Sequence, residues 1–187
     1  MRYLIILIVL AATPLLHGCP VMLATGVGGA VAASEDPRTI GTITEDQGIG
    51  LKAENRISEK YESAHINITS YNRMVLLTGE APDEATRGGI EQTARAVENV
   101  RYVYNEIAIA GNSSLTSRTN DAVLTGKIKS RFVDSKDVNL LHVKVITEDG
   151  VVYLLGLVKH NEADGATEVA RTTSGVRKVV KLFEYLD

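Results

Sequence analysis

The chain repeats itself, and the repeat constrains its architecture more tightly than any other feature. His65-Ile66-Asn67-Ile68 aligns with His142-Val143-Lys144-Val145, and Val75-Leu76-Leu77-Thr78-Gly79 aligns with Val152-Tyr153-Leu154-Leu155-Gly156, both at a spacing of 77 residues. After a one-residue shift, Val100-Arg101-Tyr102-Val103 aligns with Val176-Arg177-Lys178-Val179. Blocks conserved in order within one chain imply a duplicated module. The reading is two related domains, 51–110 and 117–187. The link over 111–116 begins Gly111-Asn112-Ser113-Ser114, a loop composition.

Each repeat predicts the same elements. A first helix precedes the His-led strand; in the second repeat Thr119 or Asn120 can cap it, and Leu124, Ile128 and Phe132 recur at i, i+4 and i+8. Two strands follow as a hairpin. One pair, 66–70 and 74–79, turns around Tyr71-Asn72-Arg73; the other, 142–147 and 151–157, turns at Asp149-Gly150. A second helix starts near Pro82-Asp83-Glu84 in repeat one and ends near Ser174-Gly175 in repeat two. A β-rich strand closes each unit, at 101–109 and 176–186. The expected class is α+β: two tandem α-β-β-α-β domains, each a small mixed three-stranded sheet with two helices on one face. Gly79 and Gly156 end the second strands. They read as structural glycines where another backbone approaches closely. Modules of about 60–70 residues bury little, so packing of the two domains on each other would add stability.

The N-terminal region carries a second signal. Arg2, an apolar run over 4–16 and Gly18 directly before Cys19 form a signal-peptide pattern over 1–18. The run would rise only about 20 Å as a helix, short of the ~30 Å of a bilayer core. Leu16 stands three places before the cysteine, where an ordinary signal peptidase prefers a small residue. With Leu16, Gly18 and the chain's only cysteine, the pattern resembles a bacterial lipobox, with His17 as its less usual member. Cys19 is then the lipidation site, carrying acyl and diacylglyceryl groups, and no other cofactor is expected. An uncleaved anchor and an ordinary signal peptide are the alternatives. Residues 19–50, rich in Gly, Ala, Ser and Thr, read as a flexible lipidated tether; a partly ordered arm packed on the first domain is the other possibility. Residues 19–187 hold 19 basic and 23 acidic side chains, a net charge of −4 with His neutral, which does not suggest a nucleic-acid binder. With Cys19 lipidated, the domains fold without a disulfide.

The repeat and the lipobox together carry a resemblance. The α-β-β-α-β units, each with a glycine after the second strand, resemble BON domains. The whole chain resembles the dual-BON outer-membrane lipoproteins of the DolP/YraP family. Asp36-Pro37-Arg38 with Gly41-Thr42 resembles the family's linker; Val103-Tyr104-Asn105-Glu106-Ile107, Gly156-Leu157-Val158 and Ser174-Gly175-Val176 resemble its domain cores. The resemblance implies a non-enzymatic monomer, lipid-anchored on the periplasmic face of the outer membrane, that supports envelope integrity. It implies binding of anionic phospholipid through the first helix of the second domain, 120–133 here, with Val123, Gly126, Lys127, Ser130 and Arg131 as the contact face. Val123 stands where the family pattern has an aromatic, so an interfacial anchor is missing. An adaptor for outer-membrane protein assembly, or for cell-wall and division regulators, is the competing expectation.

Charge points to the same helix without the family. The 51–110 domain has 7 basic and 9 acidic residues, the 117–187 domain 11 and 10, and Lys127, Lys129, Arg131 and Lys136 fall within ten residues. The sequence has no G-x-S-x-G, H-E-x-x-H or P-loop, and no ligand spacing surrounds His65 or His142, so neither a catalytic nor a metal site is expected.

Overall fold

The computed structural model describes residues 36–111 and 114–187. The signal-peptide and Cys19 expectations, and the tether up to residue 35, lie outside the described residues. Glu35–Asp187 forms one compact unit.

The first domain runs α1 (Ile40–Lys60), β1 (His65–Tyr71), β2 (Met74–Ala81), α2 (Glu84–Arg95), β3 (Tyr102–Asn105) and β4 (Ala108–Ile109). The second runs α3 (Leu115–Val133), β5 (Val143–Glu148), β6 (Val151–Val158), α4 (His160–Arg171) and β7 (Lys178–Tyr185). In each sheet the second strand is central, antiparallel to the first and parallel to the last. The fold is α+β, as the repeat predicts. The closing strand of domain one breaks into β3 and β4, both paired to β2, because Ile107 between them turns into the core.

Both hairpins use two-residue turns with both central residues in the left-handed region: Asn72 (φ 47°) and Arg73 (φ 63°), then Asp149 (φ 46°) and Gly150 (φ 69°). A helix carboxylate holds each turn. Asp46 of α1 accepts from the amides of Asn72 and Arg73, both at 2.7 Å; Asp121 of α3 accepts from those of Asp149 and Gly150, both at 2.8 Å. The duplication therefore extends to a helix-to-turn clasp.

Two expected boundaries are corrected. The tether does not run to residue 50: residues 40–50 are the first half of α1, capped by Thr39, whose hydroxyl accepts from the Thr42 amide at 3.1 Å. Asp46, Ile49, Ala53 and Ile57 form its buried stripe. The arm reaches further back through Arg38, which pairs with Asp36 (2.8 Å) and Asp46 (2.9 Å) and stacks over the Tyr71 ring at 3.9 Å. Burial raises the Asp36 pKa, but the hydrogen bonds and charge of Arg38 outweigh it, and the net shift is downward. A folded pKa below the unfolded value means stability present at neutral pH and lost as pH falls through the carboxylate range. Likewise, α3 starts at Leu115, inside the expected 111–116 link. Its cap is Ser114 rather than Thr119 or Asn120, with the Ser114 hydroxyl accepting from the Ser117 amide at 3.2 Å.

Each sheet has two covered faces. Helices cover one. Ile49, Ile57, Ile90 and Ala94 meet Val75 and Leu77 in domain one; Leu124, Ile128, Phe132 and Ala166 meet Val152 and Leu154 in domain two. The residues between these in β2 and β6, Leu76, Tyr153 and Leu155, form a third cluster with Tyr71 and Leu182. The two sheets thus pack back to back. Two-sided burial explains why Met74-Val75-Leu76-Leu77 and Val151-Val152-Tyr153-Leu154-Leu155 are continuous apolar runs rather than alternating ones. Polar contacts line the seam. Asn67 donates to Glu148 (2.7 Å), Asn72 to Glu184 (3.0 Å), and the Tyr71 hydroxyl accepts from the Leu157 amide (3.3 Å).

Gly79 and Gly156 sit opposite the residues that start each hairpin. Gly79 has φ +106°, and a Cβ there would fall well inside contact distance of the His65 carbonyl oxygen. A Cβ on Gly156 would lie 2.6 Å from the His142 carbonyl oxygen. Close backbone approach is the reason for glycine at both places.

Candidate functional site

Helix α3 has an inner and an outer face. Leu124, Ile128 and Phe132 are buried against the second sheet, and Asp121 is buried beneath the Asp149-Gly150 turn. Val123, Gly126, Lys127, Ser130 and Arg131 are all exposed, and a 3.6-residue period brings them together on the opposite side. Val123 is 52% exposed and Val133, two residues beyond Arg131, is 69% exposed. Phe132, the only aromatic on α3, is in the core and cannot serve as an interfacial anchor.

The cations on this helix differ in freedom. Lys127 is in no ion pair among the described residues. Arg131 is tied down: its guanidinium donates to the Val169 carbonyl (2.7 Å) and to the hydroxyls of Thr173 (2.6 Å) and Thr172 (3.0 Å). It therefore caps the last turn of α4, a cation at a helix C-terminus. Counting basic residues along the sequence cannot reveal this contact, because Val169 lies in α4 and Thr172 and Thr173 just after it, far along the chain from Arg131.

Gly126 has an open surround: a Cβ there would meet nothing within 4 Å. Neither packing nor the first domain requires glycine at this place. Gly126→Ala should stabilise the protein by about 1 kcal/mol through helix propensity, raising Tm by roughly 2–4 °C in a thermal melt. An unchanged or lowered Tm would show a backbone constraint at this position.

The histidines have local partners. His65 Nδ1 lies 3.3 Å from Glu80, His142 Nδ1 lies 3.0 Å from Glu162, and His160 Nδ1 lies 2.8 Å from Asp187 while stacking on Tyr185. Each contact joins one imidazole to one carboxylate, and among the described residues no three His, Cys, Asp or Glu gather as a metal site would require. No helix of the described residues is long and apolar enough to cross a membrane.

A groove also lies beside the N-terminal half of α3. It has a volume of about 510 Å³ and runs between β1 and β5, each an outer strand of its sheet, with Asn67, Arg118, Thr125 and Glu148 among its walls.

Comparison with known proteins places this geometry in context. The BON domain family model matches residues 50–111 and 120–187, so the arm ahead of residue 50, Asp46 included, falls outside it. Over 186 residues the chain is 40% identical to the outer membrane lipoprotein DolP of Haemophilus influenzae, covering 96% of this chain and 95% of that protein. It is 36% identical over 154 residues to the 21 kDa hemolysin of Actinobacillus pleuropneumoniae, covering 81% and 79%. With the osmotically-inducible protein Y of Escherichia coli it shares 28% identity over 145 residues, covering 75% and 72%.

Proposed function

The chain belongs to the BON-domain proteins, in the dual-BON family that includes DolP, and on that premise we propose that it is a non-enzymatic lipoprotein of the outer membrane whose second domain contacts anionic phospholipid through α3. The observation that carries this reading is the exposed Lys127, in no ion pair among the described residues and set beside exposed Val123 and the open backbone of Gly126. The match covering 96% of the chain extends into the leader, which supports the lipid anchor at Cys19 and a periplasmic location.

The energetics assign different tasks to anchor and helix. Two acyl chains or more give stable residence, whereas each Lys or Arg close to an anionic surface adds about 1 kcal/mol. A few such charges are salt-sensitive and weak alone. Anchoring raises their effective concentration at the surface, so they set orientation and lipid preference. Vesicle sedimentation of residues 20–187 should show binding to phosphatidylglycerol-containing vesicles and little to phosphatidylcholine alone. Lys127→Glu should weaken the former roughly tenfold. Equal sedimentation with both vesicles would reject the electrostatic contact.

The groove between β1 and β5 favours a second reading, a protein adaptor that takes an extended segment along a strand edge. In-cell crosslinking from position 67 would then capture one protein at the same yield in wild type and Lys127→Glu.

A further inference from the structure

A cleft of about 380 Å³ opens where the N-terminal arm and the two domains meet. Arg38 of the arm, Lys129 of α3 and Lys144 of β5 all line it, together with Tyr71 and Leu141. Its lining includes no carboxylate. Asp36 and Asp46 pair with the Arg38 guanidinium, yet neither lines the cleft. Among the described residues, no ion pair includes Lys129 or Lys144.

Three cations from three separate parts of the chain thus meet at one cleft: Arg38 is balanced by Asp36 and Asp46, whereas the ammonium groups of Lys129 and Lys144 are in no ion pair among the described residues. Partial desolvation, then the charge of Arg38 and more weakly that of Lys129, lower the pKa of the Lys144 ammonium against an opposing pull from Asp46. An anion in the cleft would relieve that repulsion. The guanidinium is already fixed, held by its carboxylates and by the Tyr71 ring, whereas the two lysines are point charges on flexible stems. The two mobile ammonium groups suit the acceptor oxygens of a phosphate, with the guanidinium a fixed neighbour whose Nε, Nη1 and Nη2 already donate to Asp36 and Asp46. Leu141, 42% exposed, and the Tyr71 ring give apolar contact to whatever carries it.

We propose that this cleft binds a phosphate group, borne by an anionic lipid or free in solution, through Lys129 and Lys144 set against the fixed Arg38. The site is separate from the outer face of α3, because Lys129 lies about 200° around the helix from Lys127. It is complete only with both domains docked and the arm in place.

Amide NMR of the full chain in nonionic detergent tests the assignment, with separate titrations of inorganic phosphate, dihexanoyl phosphatidylglycerol and dihexanoyl phosphatidylcholine. Saturable shifts at Lys129, Leu141 and Lys144 are expected with phosphatidylglycerol and not with phosphatidylcholine. Tighter binding of the lipid than of phosphate identifies a headgroup; equal binding identifies free phosphate. The double variant Lys129→Gln/Lys144→Gln should weaken binding about thirtyfold. Unchanged amide positions in β1 and α2 would show that it folds. Lys127→Gln should leave the cleft shifts intact, so this site and the outer-face contact fail independently. Shifts confined to residues 123–127, no shifts at all, or a double variant within about twofold of wild type would overturn the proposal.

Discussion

Asp46→Ala should destabilise the protein by roughly 3–5 kcal/mol, the cost of taking one partner from a buried, fully bonded charge. Asp46 is 5% exposed. Its carboxylate accepts from the Ser70 hydroxyl (2.8 Å), the Asn72 and Arg73 amides (2.7 Å each) and the Arg38 guanidinium (2.9 Å). Alanine removes the acceptor for all four and leaves the two turn amides without their side-chain partner. Arg73 is also held at φ 63°, a conformation that is unfavourable for a non-glycine residue without such support. The measurement is a thermal melt, where the loss corresponds to a Tm drop of about 10 °C. Asp121→Ala should cost less, since Asp121 serves two turn amides and one of them belongs to Gly150. A drop for Asp121→Ala as large as for Asp46→Ala would mean that the arm contributes nothing through Arg38.

Gly79→Ala is the second large effect, expected at about 3 kcal/mol or more. Two penalties coincide there. The φ of +106° is a conformation that L residues rarely adopt, and the new Cβ would press into the backbone of the neighbouring strand at His65. The nearest atoms are all backbone of His65 and Ile66, so no flexible side chain can move away. At Gly156 only the second penalty applies, with the nearest oxygen at 2.6 Å and no positive φ. Denaturant unfolding should therefore rank Gly79→Ala as more damaging than Gly156→Ala. The reverse order would indicate that strand β2 relaxes more readily than β6.

Much of this fold was legible because its signals are local or repeated. The Asp149-Gly150 turn, the Leu124/Ile128/Phe132 stripe and the paired glycines each follow from short spacings, and duplication let one copy support the other. The N-terminal half of α1 was not legible. Residues 40–50 contain three glycines and two threonines, poor helix formers, and their helix is stabilised by contacts more than twenty residues away at Ser70, Asn72 and Arg73. The Asn72-Arg73 turn lacks the usual glycine for the same reason: Asp46 supplies from a distance what glycine supplies locally. The back-to-back sheets had a visible trace in the continuous apolar runs of β2 and β6, but periodicity alone does not say what covers the second face.

The candidate surface was legible in position and not in the state of its charges. Val123, Lys127 and Ser130 are where helical spacing puts them. Arg131 shares their exposure but is spent on the end of α4. Lys129, grouped with them by sequence, turns toward the cleft beside Lys144.

Tyr71 gives the arm a mechanical meaning. Its ring lies under Arg38, while its hydroxyl reaches across to the Leu157 amide of the other domain. A pull on the chain from its N-terminal side therefore enters the folded body at Asp36 and Arg38 and is delivered to the seam between the sheets, before it reaches the first turn of α1. Tension applied ahead of Asp36 would load the joint that holds the two modules together, and its release would leave that joint clasped.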